Sequence, residues 1–121
     1  MRQVTAIALV WIFLVTSAKA VRELVELEEI QHAQRVEGVV LDPSGAPISD
    51  MTVTDRTENW GAVLRSTTTD SKGLFRFTKQ PGKNLYYLRF DNVLFNPMQL
   101  KLQLDKKAAQ RGITVNPYIG G

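Results

Sequence analysis

Few side chains in this sequence are equipped for catalysis. There is one histidine, His32, and no cysteine. A hydroxyl nucleophile needs a base held beside it, and imidazole is the usual one. Ser44, Ser66 and Ser71 fall in turn or strand contexts without a base, so they read as turn and surface residues. A single histidine without a thiolate also argues against a zinc site built on histidine and cysteine. His32 itself lies in a polar lead-in and reads as a solvated side chain. Asp70-Ser71-Lys72-Gly73 has the outline of a calcium loop. One carboxylate beside a lysine is a poor match for an ion that takes about six to eight oxygens, so a plain turn is the reading. No catalytic residue, metal ligand or cofactor is assigned.

Binding has a better candidate in Asp55–Ala62, read DRTENWGA. It joins an aromatic (Trp60), a cation (Arg56), an acid and an amide (Glu58 and Asn59) and a permissive Gly61. An exposed indole flanked by polar groups suits stacking on a sugar or anchoring a protein partner. The competing reading folds Trp60 back as a lid on the core. Other connections offer less. Pro43–Pro47, Asp70–Gly73 and Gln80–Asn84 look like tight turns with little side-chain reach. Asp91–Pro97 looks apolar enough to pack the core, and Lys106–Gly112 is charged and flexible. Arg56, Glu58, Asn59 and Trp60 are therefore the candidate ligand-binding residues.

The elements that must carry this loop have a period close to two. Val36, Gly38 and Val40 share one face of a first run, with Val39 and Leu41 on the other. Met51, Val53 and Asp55 alternate with Thr52 and Thr54. Tyr86, Leu88 and Phe90 alternate with Tyr87 and Arg89. Met98, Leu100, Leu102 and Leu104 alternate with Gln99, Lys101, Gln103 and Asp105, which should face solvent. Gly45 and Gly73 sit where turns call for positive φ, and Asp70 is placed to accept amides of its own turn. About seven short strands without a helical period predict an all-β fold, an antiparallel β-sandwich. Its expected core is Val36, Val40, Val53, Phe75, Phe77, Tyr86, Leu88, Phe90, Leu100, Leu102 and Ile113.

The N-terminus reads as an address. Arg2, an apolar run from Ala6 to Val15 and Ala18-Lys19-Ala20 give the three parts of a signal peptide over residues 1–20. The run is shorter than the roughly 20 residues of a membrane span. The expected product is secreted or periplasmic, with no membrane span once residues 1–20 are cleaved. Removing Arg2 and Lys19 from 15 basic side chains leaves 13 against 12 acidic ones. Such a balance argues against nucleic-acid binding. Residues 21–34, rich in glutamate, predict either a short helix on Leu24, Leu27 and Ile30 or an irregular lead-in.

Gly38-Val39-Val40-Leu41-Asp42, Ser44-Gly45-Ala46-Pro47-Ile48, Thr69-Asp70, Gly73-Leu74-Phe75-Arg76-Phe77 and Tyr86-Tyr87-Leu88-Arg89-Phe90 follow one another in a distinctive order. Together they resemble the carboxypeptidase regulatory-like domain of the transthyretin-like, or prealbumin-like, β-sandwiches. The resemblance runs from about Val36 to Val115, within a domain assigned to residues 35–121. It implies a seven-stranded Greek-key sandwich with a signal helix ahead of it. It further implies an exported bacterial module without catalytic chemistry, serving a structural role or binding an extracellular or periplasmic protein or glycan. The same group contains an enzyme, hydroxyisourate hydrolase, which is the alternative reading. Its histidines are missing here, and its C-terminal Tyr-Arg-Gly-Ser is replaced by Asn116-Pro117-Tyr118-Ile119-Gly120-Gly121.

Overall fold

The structure, a computed structural model, describes residues 23–117. The expected signal segment 1–20 and residues 118–121 lie outside the described residues. Among the described residues nine strands form: β1 Val25–Glu26, β2 Gln31–Ala33, β3 Glu37–Val40, β4 Thr52–Arg56 and β5 Val63–Thr68, then β6 Leu74–Arg76, β7 Leu85–Asn92, β8 Phe95–Leu104 and β9 Ile113–Val115. The larger sheet has the order β1-β8-β7-β4-β5, with β2 also on β8, and the smaller sheet the order β6-β3-β9. The two inner faces enclose the core, as in a β-sandwich.

Two expectations need correcting. The sheets are mixed rather than antiparallel, because β1 and β2 run parallel to β8 and β9 runs parallel to β3. Side-chain alternation has period two in either direction, so it carries no sign of strand polarity. The glutamate-rich lead-in forms no helix. Val25 pairs with Met98 and Gln31 with Leu102, and Ala33 is fully buried. An edge strand exposes most of its side chains, which in sequence resembles a solvated helix.

All eleven expected core residues are buried, and Ala33, Ile48, Met51, Phe95, Met98 and Val115 join them. Phe75 meets Phe90 edge-on at 5.3 Å between the sheets. Burying each such side chain stabilises the fold by roughly 1.5–3 kcal/mol. Gln99, expected in solvent, is 2 % exposed and donates to Glu26 Oε1 at 3.2 Å. Asp91–Pro97 does not pack the core as a unit. Val93 and Leu94 form an exposed hairpin tip, and only Phe95 turns inward.

Two turns share one design. Asp42 Oδ1 accepts the amides of Ser44 and Ala46, while Asp70 Oδ1 accepts those of Lys72 and Leu74. Gly45 and Gly73 follow with φ of 91° and 76°. The Ser44 side-chain hydrogen bond, then the Ala46 amide, holds the Asp42 carboxyl below its ordinary pKa. At Gly73 a Cβ would also stand 2.6 Å from the Val40 carbonyl oxygen. Only glycine fits there.

Candidate functional site

The 55–62 stretch is part strand and part loop. Asp55 and Arg56 close β4, so the connection to β5 begins at Thr57. Thr57 clamps it: its amide donates to the Ala62 carbonyl at 3.0 Å, and its hydroxyl accepts the Ala62 amide at 2.9 Å. Inside the clamp, Glu58–Trp60 makes one tight turn. Asn59 and Trp60 have φ of 57° and 61°. A bulky residue in that region costs about 1–2 kcal/mol, so the turn holds Trp60 against its own preference. The indole lands edge-on to Tyr87, with ring centroids 5.0 Å apart. Trp60 is thus half-buried, neither a lid sealed over the core nor a free platform.

A cavity of about 450 Å³ opens beside this pair, lined by Arg56, Glu58, Leu64, Lys83, Asn84 and Tyr87 among others. Arg56 and Tyr87 are cross-strand partners. Arg56 Nε donates to Thr54 Oγ1 at 3.0 Å, and its Nη1 reaches the Gly61 carbonyl at 3.4 Å, bracing the loop from below. Of the four candidates, Arg56 and Glu58 line the cavity and Trp60 stands next to it through Tyr87. Asn59 is exposed and is not part of the lining.

The sequence reading missed Leu64, Lys83 and Tyr87. Gln80–Asn84 was expected to lack side-chain reach, yet Lys83 and Asn84 form one wall. Tyr86 organises that turn: its hydroxyl accepts the Gln80 amide at 2.9 Å and donates to the Lys83 carbonyl at 3.1 Å.

Behind the cavity lies a charge cluster. Asp55 has no exposed surface. Arg65 Nε and Nη2 donate to its Oδ2 at 2.9 and 2.8 Å, and Arg65 Nη1 donates to the Thr78 carbonyl at 2.6 Å. The same guanidinium lies 4.8 Å from the Phe77 ring centre. Lys83 Nζ is 3.6 Å from Asp55 Oδ1 and 4.9 Å from the Tyr86 ring centre. Lys83 thus couples the buried carboxylate to the cavity wall. Alternation had placed Asp55 on the inward side with Met51 and Val53, but no spacing rule points to Arg65.

A larger depression, about 610 Å³, lies where the smaller sheet meets the end of β5 and includes Glu37, Val39, Thr68, Leu74, Arg76 and Arg111. It is less suited to recognition: tryptophan and tyrosine are absent from its lining, and Arg111 contacts Glu37 at 3.4 Å. His32 is exposed on β2, across the sheet from β5. Among the described residues, no three histidine, cysteine, aspartate or glutamate side chains converge as a metal site.

The sequence profile of the carboxypeptidase regulatory-like domain matches residues 35–116. The chain belongs to that family, a generic non-catalytic β-sandwich domain. No curated protein matches the chain. The matched segment begins after β2 and spans β3–β9. No helix among the described residues is long and apolar enough to cross a membrane.

Proposed function

We propose that this protein is an exported, non-catalytic binding module that grips an extracellular or periplasmic protein segment at the 56–64 corner. The observation that carries this reading is the strained turn that sets Trp60 on Tyr87, a residue lining a cavity with Arg56, Glu58 and Lys83. Non-glycine residues with positive φ concentrate at sites where a side chain must be aimed. The surroundings favour a protein over a sugar. Val63 and Leu64 are 50 % and 52 % exposed beside Arg56, Glu58 and Lys83. An apolar patch rimmed by charge resembles a protein contact surface. A glycan is the second reading, favoured by the half-exposed indole next to hydrogen-bonding side chains.

Titration of Trp60 fluorescence with peptide and glycan panels, on purified protein lacking residues 1–20, tests both. A saturable shift with a peptide, lost in Trp60→Ala and weakened by Leu64→Ala, supports the protein reading. A response confined to glycans supports the second. A shielded, blue emission unmoved by either panel refutes a site here. Intact mass of the exported product tests cleavage after Ala20, and a mass retaining residues 1–20 overturns that part.

A further inference from the structure

Among the described residues no further strand pairs with either outer strand of the larger sheet, β5 on one side and the β1–β2 segment on the other. Natural sheets protect such edges with charge, proline or bulges. β5 has no proline and no free charge there, and its one bulge lies at the Leu64 end, where Asp55 pairs with Arg65 and Arg56 with Val63, leaving Ser66–Thr68 regular. Its one charged residue, Arg65, is turned inward onto Asp55, and Val63, Leu64, Ser66 and Thr68 are exposed. The opposite edge exposes Glu23, Leu24, Glu26, Glu28, Glu29 and Ile30.

Strand directions make these edges complementary. β5 is antiparallel to β4, β4 to β7 and β7 to β8, while β1 and β2 are parallel to β8. β5 and β1–β2 therefore run in opposite directions. A second copy placed alongside in the same orientation sets its β1–β2 segment antiparallel to β5 and continues the sheet. The smaller sheet agrees, since β6 is antiparallel and β9 parallel to β3.

Charge selects this pairing over others. Four glutamates oppose β1–β2 meeting its own copy. The β5 side carries exposed Lys72, Arg76 and Lys79 against exposed Asp50 and Glu58, and Asp70 there is engaged by the amides of its own turn. We propose that the chain self-associates head to tail, β5 of one copy taking the β1–β2 segment of the next. In such a junction Ile30 would lie level with Val63 and Leu64, and Leu24 with Thr68. The junction joins two different surfaces, so it repeats along a row instead of closing as a twofold dimer.

Sedimentation velocity on purified protein, its N-terminus fixed by intact mass, tests this from about 1 μM to about 500 μM. Average mass should rise with concentration, and the rise should shrink between about 50 mM and about 500 mM salt. Glu28→Lys with Glu29→Lys, and separately Ser66→Glu with Thr68→Glu, should each weaken association at least about tenfold. The chain carrying all four substitutions swaps the charges and should regain it. Hydrogen exchange offers a readout without substitution, with protection of Val63–Thr68 amides rising with concentration. A parent chain monomeric throughout overturns the proposal. So does undiminished association of the Glu28→Lys, Glu29→Lys chain, which would mean β5 pairing with β5. A folded four-substitution chain that stays monomeric, or β5 protection independent of concentration, overturns it as well.

Discussion

Asp55→Ala removes a carboxylate from a fully buried position and leaves the Arg65 guanidinium facing the core beside Phe77. Breaking one side of a buried ion pair costs roughly 3–5 kcal/mol. Arg65 keeps 23 % side-chain exposure and its bond to the Thr78 carbonyl, so water partly compensates it. The expected loss is about 3 kcal/mol, at the lower edge of that range. For a domain of this size each kcal/mol moves Tm by about 4–8 °C, so thermal unfolding should shift down by about 10–20 °C. The double variant Asp55→Ala, Arg65→Ala removes both charges and should recover about 1–2 kcal/mol relative to the summed single losses. Urea denaturation with all four chains completes the cycle. An Asp55→Ala protein as stable as the parent, or losses that simply add, would refute the pairing.

Phe77→Ala should cost roughly 3–5 kcal/mol in denaturant melts, since the ring is buried and supports Arg65; an unchanged Tm would show that the β6 register is wrong. Gly73→Ala should cost about 1–3 kcal/mol through positive φ and the Val40 carbonyl, whereas Gly45→Ala, with open space around it, should cost less by the same measurement. The Asp42 carboxyl, held below its ordinary pKa, makes a pH-dependent contribution. That contribution is complete above the ordinary value and fades as pH falls through the lowered folded one. Carboxyl NMR titration checks the direction, and a raised Asp42 pKa would contradict it.

The sandwich was legible where both faces of a strand have distinct fates. Tyr86, Leu88 and Phe90 face the core while Tyr87 and Arg89 lie outside it, and the sequence alternates accordingly. Strand pairing at a distance was not legible. Nothing local tells Gln31 that its neighbour is Leu102, so an edge strand read as lead-in. At the candidate site, Trp60 and Arg56 stood out by residue type. Tyr87 and Lys83 did not, because their role comes from β7 lying beside β4 and from a turn that Tyr86 ties down. Leu94 misled for a related reason, since an apolar residue at a hairpin tip follows no alternation.

The N-terminal strands also set an order of events in time. Glu26 meets Gln99 across 73 residues of chain, and Leu27 donates its amide to the same residue. Closing so long a span costs entropy that no local contact repays. As the chain emerges from a ribosome, the first strands must wait until β8 has arrived. In the interval their partner edge on β8 stands bare. Assembly of the larger sheet therefore ends with its N-terminal strands.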